Sequence, residues 1–166
     1  MTILARLVLA SSAFLAASAG AQALEPLVKF EKPQRPGTVL VDVSARHLYH
    51  FKSDRLAEVF LVGVARPGIQ FYGSTQIYLK RDNPVWVPTR NQRRLYKNLP
   101  ASVPPGPDNP LGTRALNLHK NYRIHGTNQP ERIGHAKSDG CVAMYNADIE
   151  HLFPEIALGA RVVVTK

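Results

Sequence analysis

The stretch from residue 124 to residue 146 constrains this chain most, because it gathers turn-forming residues around the only cysteine. Three glycines and one proline punctuate it: Gly126, Pro130, Gly134 and Gly140. Turn residues at this density predict a structured loop between two ordered elements. The glycine directly before Cys141 allows a ligand to approach the backbone closely, since glycine adopts strained dihedral angles at low cost.

The cysteine has a plain interpretation and a chemical one. Most lone cysteines are small buried hydrophobic residues without chemistry. Here residues 138–140 are polar or flexible, which is poor material for a core position, and apolar alternation begins only at Val142 and Met144. A histidine brought near a thiol by the fold is the usual arrangement of an activated sulfur nucleophile, and His125 is a candidate. For His135, in the same loop, a solvated histidine is the plainer interpretation.

The residues around the cysteine resemble the signature of the YkuD-type L,D-transpeptidases. The matching segments are residues 124–128, 133–134 and 138–142. Two positions depart from the family pattern: Asp139 stands where the family usually has histidine, and Ala143 where it usually has arginine. The resemblance extends to an opening hairpin, a loop before the motif and a closing helix, at residues 39–49, 107–112 and 146–153.

The resemblance implies acyl transfer on peptidoglycan. Cys141 would be the nucleophile and His125 the base, and amides around Gly140 would donate to the developing oxyanion. Cys141 would attack a carbonyl of one stem peptide, form a thioester, and pass the acyl group to an amine of a second stem. The residues expected to bind substrate are Tyr122, Gly126, Thr127, Asn128, Ser138, Asp139 and Ala143.

Elementary chemistry agrees with this assignment. A thiol is mostly protonated at neutral pH, and a nearby imidazole that takes its proton would give a thiolate–imidazolium pair. No cofactor is expected. No metal is expected either, because the spacing of His125, His135, Asp139 and Cys141 matches no standard zinc pattern.

The two departures leave the type of cross-link open. Asp139 adds a negative charge near the thiol, and Ala143 removes a guanidinium that could hold a carboxylate. Both changes are expected to favour an amine over a carboxylate in the pocket. They suggest a link from L-alanine of one stem to diaminopimelate of the next, with Asp139 holding or deprotonating the attacking amine. The alternatives are a catalytically silent peptidoglycan-binding domain and an L,D-carboxypeptidase that uses water as acceptor.

The N-terminal residues have the pattern of a secretory signal peptide over residues 1–23. A basic start containing Arg6 precedes an apolar run at residues 7–17 and a small-residue cleavage site at 21–23. The run is too short to cross a bilayer, so no stable membrane span is expected after cleavage. An extended lead-in is predicted over 24–37 and the L,D-transpeptidase catalytic domain over 38–166. The expected location is the periplasm, and the expected state is a monomer.

The distribution of basic residues argues against binding of nucleic acid. Loss of Arg6 with the signal would lower the formal net charge from +9 to +8. The basic residues are spread out, without the interleaved aromatic residues that single-strand binders use. Together with export, this excludes nucleic acid and favours the anionic cell-wall polymer as partner.

Hydrophobic alternation predicts a mainly β fold. Period-two patterns predict strands at residues 38–44, 47–51, 57–64, 71–80 and 161–165, and shorter ones at 115–118 and 122–124. Gly73 predicts a bulge or close backbone approach. One helix is predicted within 90–99 and another from Asn146, which would cap it, with Pro154 ending it. The resemblance implies a single YkuD-like mixed β-sandwich or barrel with one or two short helices.

Overall fold

The computed structural model of the chain describes residues 27–166, apart from the side chain of Lys120. The expected signal peptide at residues 1–23 and the start of the lead-in lie outside the described residues. Within the described part, no helix is long and apolar enough to cross a membrane.

The expected mainly β fold is confirmed. The two α-helices are α1 (Arg90–Leu95) and α2 (Asn146–Glu155). The strands are β1 (Leu27–Lys29), β2 (Val39–Asp42), β3 (His47–Phe51), β4 (Leu56–Leu61), β5 (Val64–Ala65), β6 (Gly73–Asp82), β7 (Arg114–Leu118), β8 (Arg123–His125), β9 (Ala136–Ser138), β10 (Val142–Ala143) and β11 (Arg161–Thr165).

Nine of these strands form one mixed sheet, in the order β1-β4-β3-β2-β11-β6-β7-β8-β10. The last strand of the chain, β11, lies between β2, to which it is parallel, and β6, to which it is antiparallel. At one edge β8 and β10 pair in parallel. Strand β1 extends the other edge by pairing with β4, so the end of the predicted lead-in belongs to the sheet. Strands β5 and β9 form a separate parallel pair.

The hydrophobic core continues directly beneath the motif. In β2 the alternation buries Val39 and Val41, as expected for a strand with one face inward. Helix α2 contributes Ile149 and Leu152 to the same cluster, and the motif itself contributes buried side chains at Ile124, Val142 and Met144. These last three flank the candidate catalytic residues and anchor the ends of the loop.

Three local predictions need correction. Helix α1 ends at Leu95, four residues earlier than predicted. Gly73 begins β6, and the register shift in that strand lies between Ile77 and Leu79. Helix α2 has Tyr145 at its N-cap without a side-chain capping bond, and Pro154 lies inside its last turn. Asn146 does not cap the helix because its side chain is engaged elsewhere.

Candidate active site

A tight turn closed by Ser138 presents the thiol. The Ser138 hydroxyl donates to the backbone carbonyl of Cys141 at 2.5 Å and accepts from the Gly140 amide at 3.3 Å. Gly140 has φ +129°, and a Cβ there would lie 3.4 Å from Cε1 of Tyr122. The positive φ therefore favours glycine here, while the Tyr122 ring would lie in ordinary contact with a Cβ.

His125 is buried at the end of β8 and has a defined proton arrangement. Its Nδ1 lies 2.5 Å from the carbonyl oxygen of Gly126. A carbonyl can only accept, so Nδ1 carries the proton in the neutral ring. Nε2 is then the nitrogen with a free lone pair, as a general base requires.

Parallel pairing of β8 and β10 brings the two motif halves together. The register places Val142 beside Ile124 and Ala143 beside His125. The amide of Met144 also donates to the carbonyl of His125 at 2.8 Å. Sequence alternation alone could not have predicted this pairing, because each strand has only two or three residues.

A cleft of about 440 Å³ opens above this strand pair. The expected site residues that line it are Tyr122, His125, Thr127, Ser138, Asp139, Gly140, Cys141 and Ala143, and His135 lines it as well. Gly126 instead packs against Asn146. The side chain of Asn128 donates to the carbonyl of Asp108 at 3.0 Å, which connects the motif to the loop at residues 107–112.

The pKa values of the candidate pair move in directions that keep both groups neutral. Burial raises the pKa of the Cys141 thiol, and contacts with Arg123 oppose that rise. Burial, together with the positive charge of Arg123, lowers the pKa of His125 to about 4, although the bond to Gly126 works the other way. The resting pair is therefore thiol and imidazole at neutral pH, not the expected thiolate–imidazolium, because desolvation penalises both ions.

This burial predicts an acid-sensitive contribution to stability. Unfolded, His125 would titrate near 6.5, so between pH 6.5 and about 4 the unfolded chain binds the extra proton. Stability should therefore fall as the pH falls through this window, by about 3 kcal/mol from this residue. Urea unfolding of wild type and His125→Asn across the window measures it. An equal loss of stability with acid in both proteins would contradict the assignment.

Asp139 is held by two groups distant in sequence. One of its carboxylate oxygens lies 3.2 Å from the Arg66 guanidinium and accepts from the Tyr96 hydroxyl at 3.0 Å. Tyr96 directly follows α1, so this contact fastens the segment after that helix to the motif. Nothing in the local sequence of Asp139 signals either partner.

The cleft is richer in positive charge than the loss of arginine at position 143 suggested. Three arginines line it, Arg90, Arg123 and Arg132. Asp139 is the only carboxylate among the described residues that line it. The loss of arginine at position 143 therefore does not leave the cleft without guanidinium groups, because other elements supply them. Within residues 27–166, no group of three or more His, Cys, Asp or Glu residues is placed to hold a metal ion.

Asn146 has a structural role that the sequence did not predict: it accepts hydrogen bonds from two backbone amides. Its side-chain oxygen accepts from the amides of Thr127 at 3.0 Å and Thr113 at 3.3 Å. A Cβ at Gly126 or Gly112 would lie only 2.2 or 2.0 Å from this oxygen. The two glycines thus leave room for one side chain that joins the His-Gly-Thr segment to the preceding loop.

Replacing Asn146 with alanine should destabilise the protein by about 1–3 kcal/mol, because two partly buried amides lose their acceptor. Asn146→Asp is the matched control, since it keeps an oxygen in the same place and should retain most of the stability. Urea unfolding compares the three proteins. Equal stability of the alanine variant and wild type would refute the structural role.

Comparison with known proteins gives a consistent result. Residues 36–164 match the family described as the L,D-transpeptidase catalytic domain, YkuD. The probable L,D-transpeptidase ErfK/SrfK of Salmonella typhimurium is 40% identical over 133 residues, covering 76% of this chain and 43% of that protein. The probable L,D-transpeptidase YbiS of Escherichia coli is 36% identical over 132 residues, with the same two coverages. The chain thus spans less than half the length of these relatives.

Solved structures agree at the level of the fold. L,D-transpeptidase 3 from Mycobacterium tuberculosis, in complex with a faropenem-derived adduct, has a TM-score of 0.60 at 14% identity, covering 78% of this chain and 60% of that one. An L,D-transpeptidase from Mycobacterium smegmatis has a TM-score of 0.61 at 14% identity, covering 78% and 58%.

Proposed function

We propose that this chain, which belongs to the L,D-transpeptidase family, is an exported enzyme that cross-links peptidoglycan through a thioester on Cys141. One observation carries the proposal. The pairing of β8 with β10 joins the histidine and the only cysteine of the chain at one cleft, and Nε2 of that histidine is free to accept a proton.

The reaction follows from the neutral resting pair. As Sγ of Cys141 attacks a stem-peptide carbonyl, its proton moves to Nε2 of His125. Collapse of the intermediate breaks the bond to the residue beyond that carbonyl, and His125 returns the proton to the leaving amine. An acceptor amine then attacks the thioester and gives its proton to His125, which passes it to the departing sulfur. General acid–base catalysis of this kind contributes about 10²–10⁴ in rate.

The turn at Gly140 supports the developing oxyanion in this proposal. The amides of Gly140 and Cys141 adjoin Sγ along the chain and are candidate donors to the oxygen of a carbonyl that Sγ attacks. The Gly140 amide donates to Ser138 at 3.3 Å, a long bond that substrate oxygen can replace. Loss of one such donor typically costs about 10²–10³ in rate.

For the linkage, we propose a bond from L-alanine of one stem to diaminopimelate of the next. The cleft arginines offer partners for stem-peptide carboxylates, because a guanidinium binds carboxylates in bidentate geometry. Asp139 is the carboxylate that can hold the attacking amine, and its bonds to Arg66 and Tyr96 fix its position. Ala143 lies beside His125 in the strand register, and both residues line the cleft.

Mass spectrometry of purified muropeptides incubated with the protein tests both the transpeptidase activity and the proposed linkage. New dimers that depend on Cys141 support the transpeptidase, and sequencing them identifies the linkage. Dimers joined only between two diaminopimelates would refute the L-alanine linkage. Shortened stems without dimers would instead show the carboxypeptidase, and unchanged muropeptides would favour the silent binding domain.

Export is proposed from the signal-like residues 1–23. Fractionation of cells expressing the full chain tests it. The protein should appear in the periplasmic fraction, shortened near residue 23; an uncleaved cytoplasmic protein would refute it.

A further inference from the structure

We propose that Arg123 is a catalytic residue that stabilises the anionic sulfur of Cys141 during acyl transfer. The inference rests on the proposed function of the cleft, and it adds a residue outside the matched motif segments.

The geometry begins with the parallel strand pair. With Val142 beside Ile124, one step back along both chains places Cys141 beside Arg123. Both the backbone amide and the guanidinium of Arg123 donate to the Cys141 sulfur. Arg123 and His125 are two positions apart on β8, so their side chains leave the same face of the strand. The base and a fixed cation thus flank the nucleophile from one short strand.

The positive charge of Arg123 is not neutralised by a carboxylate. None of the ion pairs formed among residues 27–166 includes it, whereas Arg66 and Arg114 pair with Asp139 and Asp82. Arg123 is also partly buried, and a charge interaction strengthens where water is excluded. The cation is therefore available to the sulfur.

Other ionisable groups around the cleft act less directly on the thiol. Besides Cys141 itself, the charged and titratable side chains that line the cleft are Arg90, Tyr122, Arg123, His125, Arg132, His135 and Asp139. Asp139 opposes formation of the thiolate, but it is paired with Arg66. Arg123 is the member of this set that donates to the sulfur.

Arg123 and Ala143 lie on neighbouring strands at the same cleft. Ala143 lies beside His125 on β10 and is bonded to Gly63 through both backbone groups at 2.8 Å. A Cβ at Gly63 would lie at an ordinary contact distance of 3.5 Å from the Ala143 Cβ but only 2.8 Å from the Arg132 carbonyl oxygen, so Gly63 has no room for a side chain. The guanidinium instead enters the cleft from the neighbouring strand β8. The cleft therefore contains a guanidinium on β8, although β10 carries alanine at position 143.

The chemical role is electrostatic and needs no further reactant. When the thiol proton moves to Nε2 of His125, the sulfur carries negative charge until its bond to the carbonyl carbon forms. It carries that charge again when the thioester breaks. Arg123 faces the sulfur at both moments and keeps its own proton throughout.

Titration of Cys141 tests the inference without any substrate. As the chain has one cysteine, the pH profile of alkylation by iodoacetamide, followed by the mass of the modified Cys141 peptide, reports that group alone. Arg123→Gln should raise the midpoint by about one pH unit or more, since a nearby opposite charge typically shifts a pKa by 1–3 units. Arg123→Lys keeps a positive charge and should therefore show a smaller rise in the midpoint than Arg123→Gln. The backbone donor persists in both variants, so the shift measures the guanidinium.

Arg132→Gln is the matched control, because it removes a cleft arginine that is not bonded to the sulfur. It should leave the thiol midpoint unchanged. Equal midpoints in wild type and a folded Arg123→Gln variant, judged by circular dichroism, would overturn the inference, as would an equal shift in the control. A wild type that forms no cross-links but shows the Arg123-dependent shift would refute the proposed function alone, leaving the contact with the sulfur established.

Discussion

Replacing Cys141 with alanine should abolish acyl transfer while leaving the fold intact. The chain offers no second thiol, and no thioester can form without the sulfur. The substitution removes one heavy atom from the side chain. The groups that close the turn are the Ser138 hydroxyl and the backbone of residues 140 and 141, and alanine keeps them all. Muropeptide products measured by mass spectrometry should show neither dimers nor shortened stems.

The control for this variant is its stability in urea unfolding, which should fall by no more than about 1–3 kcal/mol, because the donors of Arg123 lose their acceptor while the bonds that close the turn persist. Cys141→Ser gives a further comparison, because it retains a hydroxyl that is far less acidic than a thiol. Turnover in the alanine variant comparable to wild type would show that another group is the nucleophile.

His125→Asn should slow acyl transfer by about 10²–10⁴ near neutral pH, the range expected for loss of a general base. The Asn side-chain nitrogen can still donate to the Gly126 carbonyl in place of Nδ1. What disappears is Nε2, the atom that takes the thiol proton. The loss therefore reports proton transfer and not collapse of the loop. The rate constant for dimer formation at saturating muropeptide measures it.

His135→Asn is the matched control, since His135 lines the same cleft but lies in the segment before β9. It should retain most of the activity. If His135→Asn were crippling and His125→Asn tolerated, the base would be assigned to the wrong histidine.

The strands with clear alternation and the identity of the candidate catalytic pair were predictable from the amino-acid sequence. The predicted bounds of His47–Phe51 and Arg161–Thr165 match β3 and β11, because period-two burial is a local property of a half-buried strand. The turn at Gly140 was likewise visible, since only glycine accepts its positive φ without strain.

Helix bounds were less certain because short elements depend on their surroundings. Asn146 has the right chemistry for an N-cap, but its side-chain oxygen accepts hydrogen bonds from the amides of Thr113 and Thr127 instead. Those amides lie 33 and 19 residues away, so no local pattern could have revealed the competition. Leu95 and Leu99 share helical spacing, but Leu95 is exposed and no buried side chain extends α1 beyond it.

The electrostatics of the site depend on how the folded chain packs around it. A thiol beside a histidine suggests an ion pair, whereas burial of both groups keeps them neutral at rest. Desolvation depends on everything packed around a group, so it cannot be derived from neighbours in sequence. Likewise, Arg123 reaches the sulfur because a three-residue strand pairs in parallel with a two-residue strand. That pairing is imposed by the nine-stranded sheet and the core beneath it, since strands so short cannot hold their register alone.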